Sequence, residues 1–377
     1  MKISLGKVCL FVVTAAALLL SGCSFSVNLG NTTPTSLPPA VVVSPVTGQE
    51  TTPTESAAST EASSGTSTYT LSTTQFILPS KAFAVYPPEG WENQQKDSEI
   101  EVAYISPDGS VVITTEFTNT GYTLDTTALE NYIDGNQANI YSGKSNYSEQ
   151  SRELHLDQGY GMVYVTFDYN NVPQKVERLY QQDGNVIFET EFWADADKWD
   201  QNVDFFNKYL DGLTYNGSNV KNYEPYMFVN TYTNVDNLFS FDYLRPWNYV
   251  VNKTTEKYGS SESLWAPDSQ AVIDILYFND YKTYWSKGVA GQWAISSLES
   301  GYSKGSGDLK IDKDQMNENG YEQLNWHSIQ NKETGITVFT AKDTRIALVT
   351  VAWANSSADV YQSSLEYTIT TFVSPAK

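Results

Sequence analysis

The sequence predicts an α+β fold, a mainly antiparallel sheet packed with helices, and it predicts that fold twice in tandem. Three observations carry this. Landmarks of the first half return in the same order in the second at a near-constant offset. Apolar residues recur at period two in some stretches and at helical spacing in others. Turn residues stand where one pattern gives way to the next.

"FAVYPPEGW" (83–91) is echoed by "FSFDYLRPW" (239–247), with Phe83 and Phe239 156 residues apart. "SPDGSVVITTEF" (106–117) returns as "APDSQAVIDILYF" (266–278), with Pro107 and Pro267 160 apart. Gly159 and Gly320, in "GYGMVYV" and "GYEQLNW", are 161 apart, and Trp193 and Trp353, in "FWAD" and "AWAN", are 160 apart. Solenoid units repeat every ~20–50 residues, so a period this long is a whole domain. The repeats occupy 69–217 and 226–377, joined by a linker at 218–225. All nine tryptophans fall after Tyr69, which places the apolar cores there.

Each half has one order of elements. A short aromatic strand opens it and ends at a proline and a tryptophan. Pro107-Asp108-Gly109 and Pro267-Asp268-Ser269 are turn chemistry leading into apolar runs. A helix follows, with Leu129, Tyr132, Ile133 and Ile140 at helical spacing in the first half and Trp285, Val289 and Trp293 in the second. Val163, Val165, Phe167 and Tyr169 then share one face of a half-buried strand. "VERLYQQDGNVIFETEF" is a hairpin turning at Asp183-Gly184, and "ITVFTAKDTRIALVTVAW" is its counterpart. A helix closes each half: Trp199, Val203, Phe206, Leu210 and Leu213 form one stripe, and Tyr361, Leu365, Ile369 and Phe372 the other. Asp195 or Asp197 is placed to cap the first of these, and Gly212 lies near its end.

The N-terminus reads as an export signal. Lys2 and Lys7 precede the apolar run "VCLFVVTAAALLL" (8–20), short for a membrane-spanning helix, which needs about 20 residues. Leu20-Ser21-Gly22-Cys23 follows and resembles the bacterial lipoprotein lipobox. That resemblance implies cleavage between Gly22 and Cys23, removal of 1–22, and a diacylglyceryl and fatty-acyl (palmitate-type) anchor on Cys23. Each buried CH₂ of such an anchor contributes about 0.8 kcal/mol. Residues 23–68 are rich in Ser, Thr, Pro and Ala and contain no Lys or Arg, so a disordered tether is expected there.

Cys9 and Cys23 are the two cysteines, and an acylated Cys23 leaves the mature chain without a thiol, a disulfide or a cysteine-based zinc site. Removing Lys2 and Lys7 from the 23 basic residues leaves 21 against 44 acids, a net charge of −23. Such a chain repels phosphate backbones, so no nucleic-acid partner is expected.

The "YPPEGW" and "YLRPW" steps, the central hairpins, and the closing helices after "FWAD" and "AWAN" resemble the PsbP-like family, named for an extrinsic subunit of photosystem II. The second half departs from the family's Pro-x-Gly-Trp with Leu-Arg-Pro-Trp. The resemblance implies an α/β/α sandwich in each half and docking onto other proteins. No site motif of the family has a match in this chain, so no functional residue is carried over.

Catalytic signals are sparse. "GYSKG" (301–305) fits G-x-S-x-G, with Asp312 and His327 after it in hydrolase order, but no apolar strand delivers Ser303 into the required turn. His155 and His327 hold unrelated positions in the two repeats. Asp195, Asp197 and Asp200, and likewise Asp312, Asp314 and Glu318, cluster without calcium-loop spacing. No catalytic residue, metal site or cofactor is therefore expected. Trp91/Trp247 and Trp193/Trp353 read as core, while the unrepeated Trp265, Trp285, Trp293 and Trp326 are the candidate binding aromatics.

Together these features predict a lipid-anchored protein on the extracytoplasmic face of a bacterial cell membrane. Its expected role is non-catalytic binding or assembly with a protein partner in the envelope. The alternatives are binding of a polysaccharide or other envelope polymer and, third, a serine hydrolase using Ser303.

Overall fold

The computed structural model describes residues 69–374 apart from 142, 235–238, 246, 251–258 and 280–284. The expected leader, Gly22, Cys23 and the tether lie outside the described residues.

Strands β1 (Glu92–Asn93), β2 (Glu101–Ile105), β3 (Val111–Asn119), β4 (Ser145–His155), β5 (Tyr160–Tyr169), β6 (Val172–Asp183) and β7 (Val186–Asp195) form one sheet in the order β1-β2-β3-β7-β6-β5-β4. Strands β8 (Asn248–Val250), β9 (Gly259–Trp265), β10 (Ala271–Asn279), β11 (Leu309–Met316), β12 (Glu322–Ser328), β13 (Glu333–Lys342) and β14 (Arg345–Ala354) form a second, β8-β9-β10-β14-β13-β12-β11. The two orders coincide when the labels are shifted by seven. The second sheet is antiparallel throughout. Helices α1 (Thr126–Ile140) and α3 (Lys287–Tyr302) follow the third strand of each sequence, and α2 (Trp199–Asp211) and α4 (Ala358–Thr371) follow the last. The architecture is mixed α+β. The echoed opening strands pair outside these sheets, Phe83–Val85 with Phe76–Ile77 and Thr214–Tyr215, and Ser240–Leu244 with Val229–Thr233.

The repeated turns match bond for bond. Gly109 N–H donates to Ser106 O and Ser269 N–H to Ala266 O, with φ of 72° and 58°. Asp108 and Asp268 each accept the N–H two residues on, at 3.1 Å from Ser110 and 2.9 Å from Gln270. Gly159 and Gly320 both take left-handed φ, 68° and 75°, in the turns before β5 and β12.

One landmark is displaced. Asp195 N–H donates to Ser110 O and Ala354 N–H to Gln270 O, which makes Asp195 the counterpart of Ala354, a spacing of 159. Trp193 thus corresponds to Ala352 and not to Trp353. A one-residue slip sends a side chain to the other face. Trp353 is buried in the core under α4, whereas Trp193 lies half-buried, edge-on to Phe167 and Tyr169, with its N–H bonded to Gln174 at 2.5 Å.

Packing assigns the chain to two compact units, one of residues 69–118 and 144–222, the other of 119–143 and 223–374. Helix α1 thus belongs with the second sheet. Asp125 caps it by accepting from Ala128 N–H at 2.8 Å. Asn131 donates to Pro267 O at 2.8 Å, and Asn139 to Trp247 O at 3.3 Å. Leu129, Tyr132 and Ile133 are buried as expected.

The closing helices divide the expectations. Tyr361, Leu365, Ile369 and Phe372 of the last stripe are all buried. In α2 the buried set is Trp199, Asn202, Phe205, Phe206 and Tyr209, while Val203 is exposed. The expected acidic cap is absent there: Lys198 holds the position without a side-chain bond, and Asp195 instead accepts from Gln174 at 2.9 Å. Helix α3 turns Ala290, Ala294 and Leu298 onto the second sheet and leaves Val289 exposed. The small alanines let this helix lie close, and the bulky tryptophans stand at its flank.

Candidate functional site

The second sheet has two covered faces. Leu264, Ile273, Ile275, Val349, Val351 and Trp353 pack with α4, whereas Val272, Leu348, Ala352, Leu324 and Trp326 pack with α3. Alternation assigns Ser263, Trp265, Asp274, Glu333, Thr337 and Thr350 to the α3 face.

A polar row crosses this apolar face. Ser263 Oγ donates to Asp274 Oδ1 at 2.6 Å, and Tyr302 Oη donates to Asp274 Oδ2. Farther along, Thr337 and Thr350 share a hydrogen bond at 2.9 Å, and Trp326 Nε1–H donates to Thr337 Oγ1 at 3.0 Å. Burial pushes the Asp274 carboxyl above the ordinary carboxylate range, against the two hydroxyl bonds that favour its charge. Burial, and then the Asp274 charge, raises the Tyr302 phenol. Glu333 is raised by burial, a shift the Lys304 charge opposes, and no described residue gives its carboxylate a hydrogen bond or ion pair. Trp265 flanks the row, opposite Val272 in the ladder and 40% exposed. This face therefore offers an aromatic platform and one carboxylate with spare acceptor capacity. Carboxyls perturbed by burial on the same face as an open aromatic are physical marks of a candidate binding face.

The expected aromatics part ways. Trp326 is a correction: it is fully buried, its ring 4.6 Å from that of Tyr302 and laid across Gly335, where a Cβ would fall 2.3 Å from it. The alternation of Leu324 and Trp326 on one face of β12 sends both under α3. Trp285 and Trp293 are half-buried, 5.4 Å apart, and Trp285 is tied to the Asp343-Thr344 turn through its backbone N–H (2.8 Å) and Nε1–H (3.1 Å). Of the four, Trp265 faces solvent.

Ser303 ends α3, and its hydroxyl closes a turn on Gly305 O at 2.7 Å. His327 Nδ1 and Asp312 Oδ2 do meet, at 2.8 Å on the surface. However, His327 neighbours Trp326 on β12, and alternation turns it away from the α3 face. Serine and histidine are not brought together. His155 pairs with Glu153 at 2.6 Å, also on the surface. Asp200 takes Lys175 at 3.3 Å. No three His, Cys, Asp or Glu among the described residues converge as a metal requires.

The first sheet holds a buried ion cluster on the face opposite α2. Arg178 on β6 donates to Glu189 (2.8 and 3.0 Å), Glu191 (2.8 Å) and Glu116 (3.0 Å). One guanidinium with three carboxylates is expensive to desolvate and specifies its arrangement through geometry.

Sequence reading missed Asp274, Glu333 and Arg178. The signal for two of them was present: Asp274 interrupts the run "VIDILYF", and Arg178 interrupts "VERLY".

Neither a family model nor a curated protein matches the chain. The solution structure of cyanobacterial PsbP from Synechocystis sp. PCC 6803 aligns over 39% of this chain and 92% of its own, with 11% identity and a TM-score of 0.31. The chain is weakly similar in structure to that PsbP. A crystal structure from Bacteroides thetaiotaomicron aligns over 38% of this chain at 15% identity and a TM-score of 0.25, the match spanning 48% of that protein's length. The immunity protein TplEi of the type VI secretion system of Pseudomonas aeruginosa aligns over 76% of this chain and 98% of its own, at 11% identity and a TM-score of 0.22. No described helix is long and apolar enough to cross a membrane.

Proposed function

We propose that this chain is a bacterial lipoprotein, acylated on Cys23 and held outside the cytoplasmic membrane, that binds an envelope partner without catalysing a reaction. Its folded part is two tandem PsbP-like repeats, 69–217 and 226–377. The observation that carries the binding reading is Trp265, a large aromatic kept 40% exposed on a packed sheet face. Exposed aromatics anchor protein interfaces more often than other residue types do. Ser303, the one nucleophile with a motif, spends its hydroxyl on a turn, which favours binding over hydrolysis.

The test is in-cell cross-linking of the tagged, lipidated protein with mass spectrometry of what it captures. One envelope protein recovered at a fixed ratio, and lost in Trp265→Ala, supports the reading. Recovery at background level refutes it. Labelling with an alkynyl fatty acid tests the anchor, since Cys23→Ala abolishes the label.

Trp265 and Glu333, three strands apart on one sheet face, also favour a second reading, binding of an extended envelope polysaccharide, because one sugar can stack on the aromatic while another donates hydroxyls to the carboxylate. Retention of the protein on an envelope glycan, lost in both Trp265→Ala and Glu333→Gln, distinguishes this from a protein partner.

A further inference from the structure

In the first sheet, β5 and β6 set Tyr164 directly opposite Glu177 and Met162 directly opposite Leu179. Alternation turns these four residues to one side. The Tyr164 ring lies 5.5 Å from that of Trp199, which makes that side the face under α2. All four are half-buried. In the second repeat the same place is closed. At the ladder spacing of 159, Glu177 corresponds to Ile336 and Leu179 to Val338. Ile336 and Val338 are both buried in the core under α4.

Glu177 thus puts a carboxylate where the other copy of the fold has a core isoleucine. No described residue gives that carboxylate a hydrogen bond or ion pair. Lys175, two residues back on the same face, gives its ammonium to Asp200 at 3.3 Å. Glu153, opposite Met162 on β4, is already met by His155 at 2.6 Å. Burial pushes the Glu177 carboxyl above its ordinary range. Two neighbours indicate what satisfies it. An aromatic ring, Tyr164, stands directly across the ladder, and such rings attract cations. Met162 and Leu179 form an apolar strip beside the carboxylate, which suits the methylene stem of a long basic side chain.

We propose that this face holds a lysine side chain of a basic protein partner, with its methylenes on Met162 and Leu179 and its ammonium between Glu177 and Tyr164. A chain with 44 acids and 23 bases complements such a partner in charge and speeds the encounter. A compact cation satisfies the carboxylate but leaves the apolar strip uncovered, and an uncharged aliphatic group does the reverse. Lysine capture here rests on the protein-partner reading and uses a different sheet from Trp265.

The experiment is an NMR titration of the full chain, isotope-labelled at its methionine methyls, with Nα-acetyl-lysine methylamide and, in parallel, with the uncharged Nα-acetyl-norleucine methylamide. The Met162 signal, assigned by its loss in Met162→Leu, reports the site, while the exposed Met227 and Met316 report the rest of the surface. The lysine compound shifts Met162 saturably and leaves Met227 and Met316 in place. The norleucine compound binds about tenfold or more weakly, and so does the lysine compound in Glu177→Gln. Glu318→Gln, which removes the same charge from an exposed position in the second repeat, leaves the response unchanged. Equal movement of Met162, Met227 and Met316 would mean a general attraction to an acidic surface and would overturn the proposal. Equal binding of the norleucine compound, or an undiminished response in Glu177→Gln, would overturn it too. The titration uses no partner, so its failure is read separately from failure of the cross-linking in the parent chain. In cells, Glu177→Gln lowers recovery of the cross-linked protein, and recovery at the parental ratio would overturn the assignment of the lysine to that partner.

Discussion

The indole of Trp326 lies flat across Gly335, with its Nε1–H bonded to Thr337 at 3.0 Å. A Cβ on residue 335 would fall 2.3 Å from the ring and 2.7 Å from Val351 O, and neither neighbour has room to move within the sheet. Gly335→Ala should therefore cost about 1–3 kcal/mol, the usual penalty of overpacking. Urea unfolding monitored by tryptophan emission measures it, and an unshifted midpoint would refute the packing argument.

The same tryptophan contrasts with Trp265. Trp326→Ala should cost about 3–5 kcal/mol, as large aromatic deletions in cores do. Trp265→Ala should cost less, about 1–2 kcal/mol, because 40% of the residue is exposed and only the rest of its area is lost from packing. Parallel denaturation curves decide this, and equal losses would mean that Trp265 is structural.

Arg178 holds three glutamates together in the first sheet. Removing it by Arg178→Met leaves those carboxylates buried without their shared cation, at a cost of roughly 3–5 kcal/mol. Lysine at this position should recover only part of that, since a point charge cannot reproduce a fork bonded in three directions. Full recovery in Arg178→Lys would show that charge alone matters.

Two aspartates should give pH dependences of opposite sign. Asp274 has a carboxyl raised by burial, so the folded chain binds its proton more tightly than the unfolded chain does. Its cost is fully present above the raised value and gone below the unfolded one, 3.8, so Asp274→Asn should flatten the loss of stability as pH rises from that value toward neutral. Burial also acts on Asp108, but hydrogen bonds from Ser106, Ser110 and Tyr69 outweigh it and hold the carboxyl down to about 2. Its contribution is present above 3.8 and is lost as pH falls through about 2. Asp108→Asn should lower the urea midpoint at pH 7 and converge on the parent as the pH drops. Identical pH profiles for both variants would contradict this assignment.

The sheets were legible because strands and turns leave local marks. The Pro-Asp turns, the glycines at 159 and 320, and the Asp183-Gly184 hairpin all stand where the residues place them. Helix faces were less legible. In α2 and α3 the buried stripe is set by how the helix lies on its sheet, so Ala290, Ala294 and Leu298 displaced the more apolar Val289. The match of Trp193 with Trp353 failed because residue identity repeats at 160 while the ladder repeats at 159. The site was the least legible part. Asp274, Glu333 and Tyr302 come from two strands and a helix end, and only long-range pairing makes them neighbours.

The assignment of α1 to the second unit has a consequence for biosynthesis. The helix ends at Ile140, and the sheet of its unit is complete only at Ala354, 214 residues later (354 − 140). At about 5–20 residues per second, a ribosome takes roughly 10–40 s to cover that distance. Through that interval Leu129, Tyr132 and Ile133 have no finished unit to join. The order of translation, rather than the strength of any contact, sets the earliest moment at which the second unit can close.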